Sequence, residues 1–243
     1  MNPTDWINRR TAAASRRSRE RRMRRFADAL SAVGLRGGRI LDAGGTRAYW
    51  EEWARLLPPG AVSRIDVVNL PGQVRDLAGR TLEIGGVPVR FVAANLLDGP
   101  SPALDARYDV VHCVSVVEHV GDAAAQRAFA DALRRLGDRL WVQTPAKEFP
   151  LEAHFRLPFF AWWPLPLRAF FNWRFRLGVM PRHRSWPEAV AFCRSTRLLT
   201  RRAFARLFPS CSLWTEHVLG LPKCYVASDF PPPAIHDAKS SER

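Results

Sequence analysis

From residue 39 to residue 144, short apolar runs alternate with helix-length amphipathic segments, and this rhythm limits the possible folds more than any other feature. Arg39-Ile40-Leu41-Asp42 reads as a buried strand. The tight turn Ala43-Gly44-Gly45-Thr46 follows it, then a helix over Tyr49 to Leu57 stopped by Pro58-Pro59-Gly60. Ser63 to Leu70 is a second strand. Thr81 to Ala94 predicts a hairpin around Gly85-Gly86, with Val89 to Ala94 as the third strand. Tyr108 to Val114 is the fourth, Asp122 to Leu136 an amphipathic helix, and Arg139 to Thr144 the fifth strand, halted by Pro145. Strands alternating with helices need right-handed crossovers, which gives a mostly parallel sheet and an α/β fold.

Three segments depart from the rhythm. Residues 1–36 form a basic N-terminal helix, strongest from Thr11 to Ala32, in which Met23, Phe26, Ala27, Leu30 and Val33 recur at the spacing of one helical face. Residues 146–196 are an insertion rich in Phe, Trp, Pro and Arg, set inside a core domain over residues 37–228. The alternation returns with a helix at Thr200 to Phe208 and strands at Ser212 to Val218 and Lys223 to Ser228. The short Gly220-Leu221-Pro222 link requires those two strands to pair antiparallel. Residues 229–243, with Pro231-Pro232-Pro233, read as a disordered tail.

Charge narrows the partners. Lys+Arg 37 against Asp+Glu 23 leaves a net +14, which excludes an acidic solvating protein and favours an anionic substrate or surface. The four cysteines fall in no C-x-x-C pair and no zinc-like spacing, so free, largely buried thiols in a reducing compartment are expected, and no metal. The run Leu157 to Leu167 is broken by Pro158, Pro164 and Pro166 and falls short of the roughly 20 residues a bilayer span needs. With no apolar core of the secretory type near the start, a cytoplasmic protein is expected.

In an open α/β sheet, ligands bind beyond the carboxyl ends of the strands. The first turn there carries Asp42, Gly44, Gly45 and Thr46, with neither the G-x-G-x-x-G of a dinucleotide site nor a P-loop lysine. A carboxylate before a two-glycine turn suits a ligand with a cationic amino-acid end and no phosphate, such as S-adenosylmethionine. Asn69 ends the second strand, where ribose hydroxyls need a hydrogen-bonding side chain. Asn95 and Leu96 follow the third, placed to read an adenine edge, and Ser115 follows the fourth.

These motifs resemble the class I S-adenosylmethionine-dependent methyltransferases. The resemblance runs from about Arg39 to Ser228 and is carried by Ile40-Leu41-Asp42-Ala43-Gly44-Gly45-Thr46 and by Tyr108 to Val120. More narrowly, Gly44-Gly45-Thr46 with Trp50, Gln143-Thr144-Pro145 and Phe149-Pro150-Leu151-Glu152-Ala153-His154-Phe155 are similar to a bacterial subgroup of uncharacterised methyltransferases. The resemblance implies a Rossmann-like seven-stranded sheet with its last strand antiparallel, and S-adenosylmethionine as cofactor. Two positions depart from the pattern. Thr46 stands where a third glycine is common, and Asn69 where an acidic residue is usual.

Methyl transfer needs in-line alignment and exclusion of water, and a hydroxyl acceptor also profits from a general base. The candidate bases are His154, then His119, with Glu152 beside His154. The acceptor is expected to be small or amphiphilic, including glycan- or lipid-linked molecules, with attack at oxygen. The insertion reads as a cap packed on the sheet, as a lid forming an apolar pocket, or as an interfacial segment seated on anionic lipid at the inner membrane face. Nucleic acid ranks lower as a partner, because no RNA-binding module is evident and the cations sit on a helix and a lid, and the lack of an Asn/Asp-Pro-Pro-Tyr/Phe tetrapeptide after the fourth strand argues against amino-group methylation of bases. A nucleic-acid methyltransferase and a Rossmann-like binding protein without catalysis are the alternatives.

Overall fold

The computed structural model describes residues 5–151, 157–177 and 182–231, with side chains from residue 13 onward. Among the described residues, eight strands form one sheet: β1 (Gly38–Ala43), β2 (Val62–Asn69), β3 (Thr81–Ile84), β4 (Val87–Ala93), β5 (Tyr108–Val114), β6 (Gly137–Pro145), β7 (Ser212–Val218) and β8 (Leu221–Ser228). Their order is β3-β4-β2-β1-β5-β6-β8-β7. The central β4, β2, β1, β5 and β6 run parallel, while β8 is antiparallel to both β6 and β7. Seven of these strands follow the expected plan. The eighth, β3, exists because Gly85 and Gly86, both at positive φ, turn the chain back so that Thr81–Ile84 pairs antiparallel on the edge of β4.

Among the described residues, six α-helices accompany the sheet: α1 (Asp5–Ala32), α2 (Arg47–Trp53), α3 (Ala123–Leu136), α4 (Leu165–Arg174), α5 (Trp186–Ser195) and α6 (Arg201–Leu207). On one face, Met23, Phe26 and Leu30 of α1 and Trp50 and Trp53 of α2 pack on Ile40, Val110 and Trp141. On the other, Phe129 and Leu133 of α3 and Phe204 of α6 pack on Leu41, Val111 and Tyr225. Strand alternation sends neighbouring residues of β1 and β5 to opposite faces, so the sheet is buried on both sides.

The helix ends are chemically marked. Asp122 caps α3 by accepting from the backbone N–H groups of Ala124 and Ala125, and those bonds hold its carboxyl below the ordinary range. At the end of α1, Gly34 takes φ +63 and Leu35 N–H bonds back to Leu30 O at 3.1 Å, an ending that a residue with Cβ resists.

α1 is clasped at its far side as well. Glu216 of β7, 3% exposed, accepts from Ser18 (2.5 Å), Arg22 (2.5 Å), Arg21 (3.3 Å) and the Cys224 thiol (3.3 Å). The Arg25 guanidinium lies 4.0 Å from the centre of the Trp214 ring. The sequence predicts disorder from residue 229, yet Asp229 and Phe230 are packed on the fold. Asp229 accepts from Leu140 N–H at 2.8 Å, and Phe230 is buried against Phe26 and Trp141, because an aromatic beside the α1 face has apolar surface to cover. The rest of that tail, residues 232–243, lies outside the described residues.

Among the described residues of 146–196, the helical parts are a short 3₁₀ turn at Phe160–Trp162, α4 and α5, joined by irregular chain. The insertion's base is closed by a parallel bridge between Ala146 and Leu199. α4 and α5 pack on each other through Ala169, Ala189 and Cys193. Among the described residues, no helix is long and apolar enough to cross a membrane. Cys113, Cys193 and Cys224 are buried and Cys211 is partly buried. Burial pushes Cys211 up to about 11 and Cys224 up to about 12.

Candidate active site at the strand tips

The carboxyl ends of β1, β2, β4 and β5 are laced to their neighbours. Gly44 N–H donates to Val68 O at 2.7 Å, Asn69 Nδ2 donates to Gly45 O at 3.0 Å, and Ala94 N–H donates to Asn69 O at 3.0 Å. Ser115 N–H donates to Gln143 O at 2.9 Å. The four expected loops therefore share one edge of the sheet, and the glycine turn faces the tip of β2.

Asp42 does not point out of that edge. It is 1% exposed, and both oxygens are engaged: Trp50 Nε1 donates to Oδ2 at 2.7 Å, and His112 Nδ1 lies 2.8 Å from Oδ1. Register explains the pairing, since Asp42 sits opposite His112 on β5, on the face that carries Trp50. The Tyr49 hydroxyl lies 3.4 Å from His112 Nε2, and burial followed by the Asp42 charge keeps that phenol well above its ordinary pKa. Asp42 thus acts on the turn from behind. A Cβ on Gly45 would stand 1.7 Å from Asp42 Oδ2, and one on Gly44 would stand 2.4 Å from Val116 Cγ2. Gly44 also holds φ +77. Carboxylate, indole and imidazole together fix a bend that only glycine can occupy.

Thr46 is the N-cap of α2, its hydroxyl accepting from Tyr49 N–H at 3.2 Å, which is why the helix begins at Arg47 and not Tyr49. A glycine there would give up that side-chain bond. Asn69 Oδ1 accepts from Leu70 N–H at 2.8 Å, leaving one amide hydrogen and one lone pair toward solvent. Asn95 caps a short 3₁₀ turn and donates to Asp98 at 2.8 Å. Leu96 turns its side chain into the core, so only its backbone reaches the edge. Leu70 and Leu97 are instead exposed at 50% and 39%, two apolar side chains at the tips of β2 and β4 that sequence pattern does not separate from core leucines. Ser115 takes φ 57, a left-handed turn rare outside glycine, which brings the chain round to seat Val116 over Gly44.

His119 lies just beyond, in the 3₁₀ turn after β5. Its Nδ1 is 3.4 Å from Thr196 Oγ1 at the base of the insertion, and its Nε2 is 3.9 Å from Glu118 Oε1. Glu118 is buried and accepts from Thr144 Oγ1 at 3.0 Å, and its carbonyl accepts from Arg197 N–H at 2.7 Å. Glu152 and His154 lie outside the described residues. Sequence reasoning missed Trp50 and His112 as partners of Asp42. The available signal was a histidine in a mostly apolar strand, two residues before its carboxyl end.

A mostly parallel sheet ordered β4-β2-β1-β5-β6-β8-β7, with β8 antiparallel to its neighbours and a glycine turn after the first strand, matches the Rossmann-like fold of class I methyltransferases. The family described as "Methyltransferase domain" matches residues 15–208, and the chain belongs to that family of S-adenosylmethionine-dependent enzymes. No curated protein matches. Among solved structures, DhpI in complex with SAH is similar at 15% identity and TM-score 0.50, over 93% of this chain and 87% of that one. The magnesium protoporphyrin IX methyltransferase ChlM from Synechocystis PCC 6803 is similar at 16% identity and TM-score 0.48, over 86% and 83%. An O-methyltransferase family protein from Burkholderia thailandensis is similar at 16% identity and TM-score 0.47; the match covers 86% of this chain but 55% of that longer one.

Proposed function

We propose that the protein transfers a methyl group to a hydroxyl of a small or amphiphilic acceptor, glycan- and lipid-linked molecules included. The observation that carries this reading is the methyltransferase-domain match over residues 15–208, which spans the glycine turn, the strand tips and the insertion together. When bound, S-adenosylmethionine supplies a carbon already activated by a positive sulfur. The chain's own tasks are then to hold, align and exclude water.

The donor set at the tips fits such a ligand. The turn at Gly44 and Gly45, lacking Cβ atoms, would let a ligand approach its backbone closely. The remaining amide capacity of Asn69 suits ribose hydroxyls, and Leu70 and Leu97 would wall a flat base, with Asn95 and the Leu96 backbone at its edge. Ser115 and Thr46 complete the rim. His119 would accept the acceptor's proton on a ring nitrogen, held by Thr196 and backed by Glu118. His154 and Glu152 remain proposed partners in that step. Exposed Phe159, Trp162, Phe170, Trp173 and Trp186 on the insertion support contact with an amphiphilic acceptor or with the inner membrane face.

Calorimetry with S-adenosylhomocysteine tests the cofactor half. Saturable binding is expected, weakened about tenfold or more by Gly45→Ala, whose methyl must displace Asp42. If neither S-adenosylmethionine nor S-adenosylhomocysteine binds the folded protein, the catalytic reading fails and a binding protein without catalysis replaces it.

A further inference from the structure

Beside His119, between the carboxyl end of β6 and the insertion, lies a cavity of about 160 Å³. Its wall holds three cationic side chains, Lys147, Arg168 and Arg197, with Phe160, Cys193 and Thr196 between them. Each comes from a different element: Lys147 follows β6, Arg168 is on α4, and Arg197 follows α5. Among the described residues, none of the three cations forms an ion pair with a carboxylate. Arg197 spends one N–H on the neutral Gln126 Oε1 at 2.5 Å, and Arg168 Nε is buried with no hydrogen-bond partner. A guanidinium nitrogen withdrawn from water without a partner is costly, and three like charges around one void repel each other. Such an arrangement is relieved by an anion.

We infer that this cavity binds a phosphate group carried by the acceptor, in an extension of the proposed methyl-transfer reading on which it rests. A planar carboxylate is satisfied by one guanidinium, whereas three cations lining one cavity suit a tetrahedral group with charge on several oxygens. Phe160, 1% exposed, closes the apolar side of the wall and packs against Trp163 at 5.3 Å between ring centres. The shared wall residue Thr196 links cavity and base, because its hydroxyl also meets His119. A phosphate held here would place a neighbouring hydroxyl of the same molecule near the tip of β5.

The test is calorimetry at low salt with inorganic pyrophosphate as the probe. Wild type is expected to bind it, and the double variant Lys147→Gln/Arg168→Gln is expected to bind about tenfold or more weakly, with affinity for S-adenosylhomocysteine unchanged as the control for folding. Equal pyrophosphate binding by variant and wild type, or none by wild type, overturns the inference. If S-adenosylhomocysteine fails to bind while Arg168-dependent pyrophosphate binding persists, the methyl-transfer reading has failed and the phosphate site stands. Sedimentation with vesicles of phosphatidylglycerol distinguishes the source. Loss of vesicle binding in the double variant marks a lipid headgroup, and unchanged vesicle binding with lost pyrophosphate binding marks a soluble phosphorylated acceptor.

Discussion

The N-terminal helix and the insertion look alike in composition, both rich in arginine and carrying large apolar side chains, yet the fold puts them to opposite uses. In α1, the apolar side chains Met23, Phe26 and Leu30 are buried, and many described arginines are tied down: Arg22 and Arg21 on Glu216, Arg25 on Trp214, Arg16 on Glu52. In the insertion the aromatics Trp162, Trp173 and Trp186 stand out at 54%, 38% and 40%, and among the described residues Arg168, Arg174, Arg176, Arg182 and Arg184 form no ion pair with a carboxylate. The difference lies in the partner, not in the segment. β7 offers α1 one buried carboxylate, and that single acid turns a run of cations into a clasp. Nothing comparable faces α4 among the described residues, so its charge stays available to a ligand.

The largest break in this contrast should come at Glu216. Glu216→Ala would leave Arg22 and Ser18 without their acceptor beneath α1, and a loss of about 3–5 kcal/mol is expected by chemical denaturation. A loss below about 1 kcal/mol would mean that α1 is held by its apolar face alone.

Acid should weaken the same clasp. Burial raises the Glu216 carboxyl, but the Arg22 charge and the bonds from Ser18 and Arg22 outweigh it and hold it below its ordinary 4.5. A depressed carboxyl contributes its stability in full above that ordinary value and loses it as pH falls through the lower folded value. Denaturation midpoints should therefore drop below pH 4.5, and less steeply in Glu216→Gln. Asp66, held low by Arg90 and Tyr108 despite burial, contributes in the acid range beneath its own ordinary 3.8, so the variant should retain part of the slope.

The smallest effect on stability should fall in the insertion. Trp162→Ala and Trp173→Ala remove exposed rings and are expected to change stability by under about 1 kcal/mol. Their effect should appear instead as weaker sedimentation with anionic vesicles. A destabilisation as large as that of Glu216→Ala would erase the distinction between the two regions.

The strands were legible because alternation and turn residues are local. Tyr108–Val114 and Ser212–Val218 have the bounds that the pattern predicts, and the antiparallel return of β8 follows from the short link before it. The face of α1 was legible too, since Met23, Phe26 and Leu30 repeat at helical spacing. The site was legible as an address at four strand tips, but the direction in which each side chain points was not. Asp42 and Asn69 look equivalent as polar residues ending strands. One faces inward to Trp50 and His112 and the other outward, because strand parity and the register of β1 on β5 decide it.

The sequence by itself determined the sheet, its parallel core and the glycine bend, since each depends on the period and conformational freedom of adjacent residues. Only the tertiary structure decided that Asp42 supports the bend from behind, that Glu216 captures α1, and that Lys147, Arg168 and Arg197 meet around one cavity. These residues are far apart in the chain, and Coulomb forces and hydrogen bonds act over distances that only the packed fold creates.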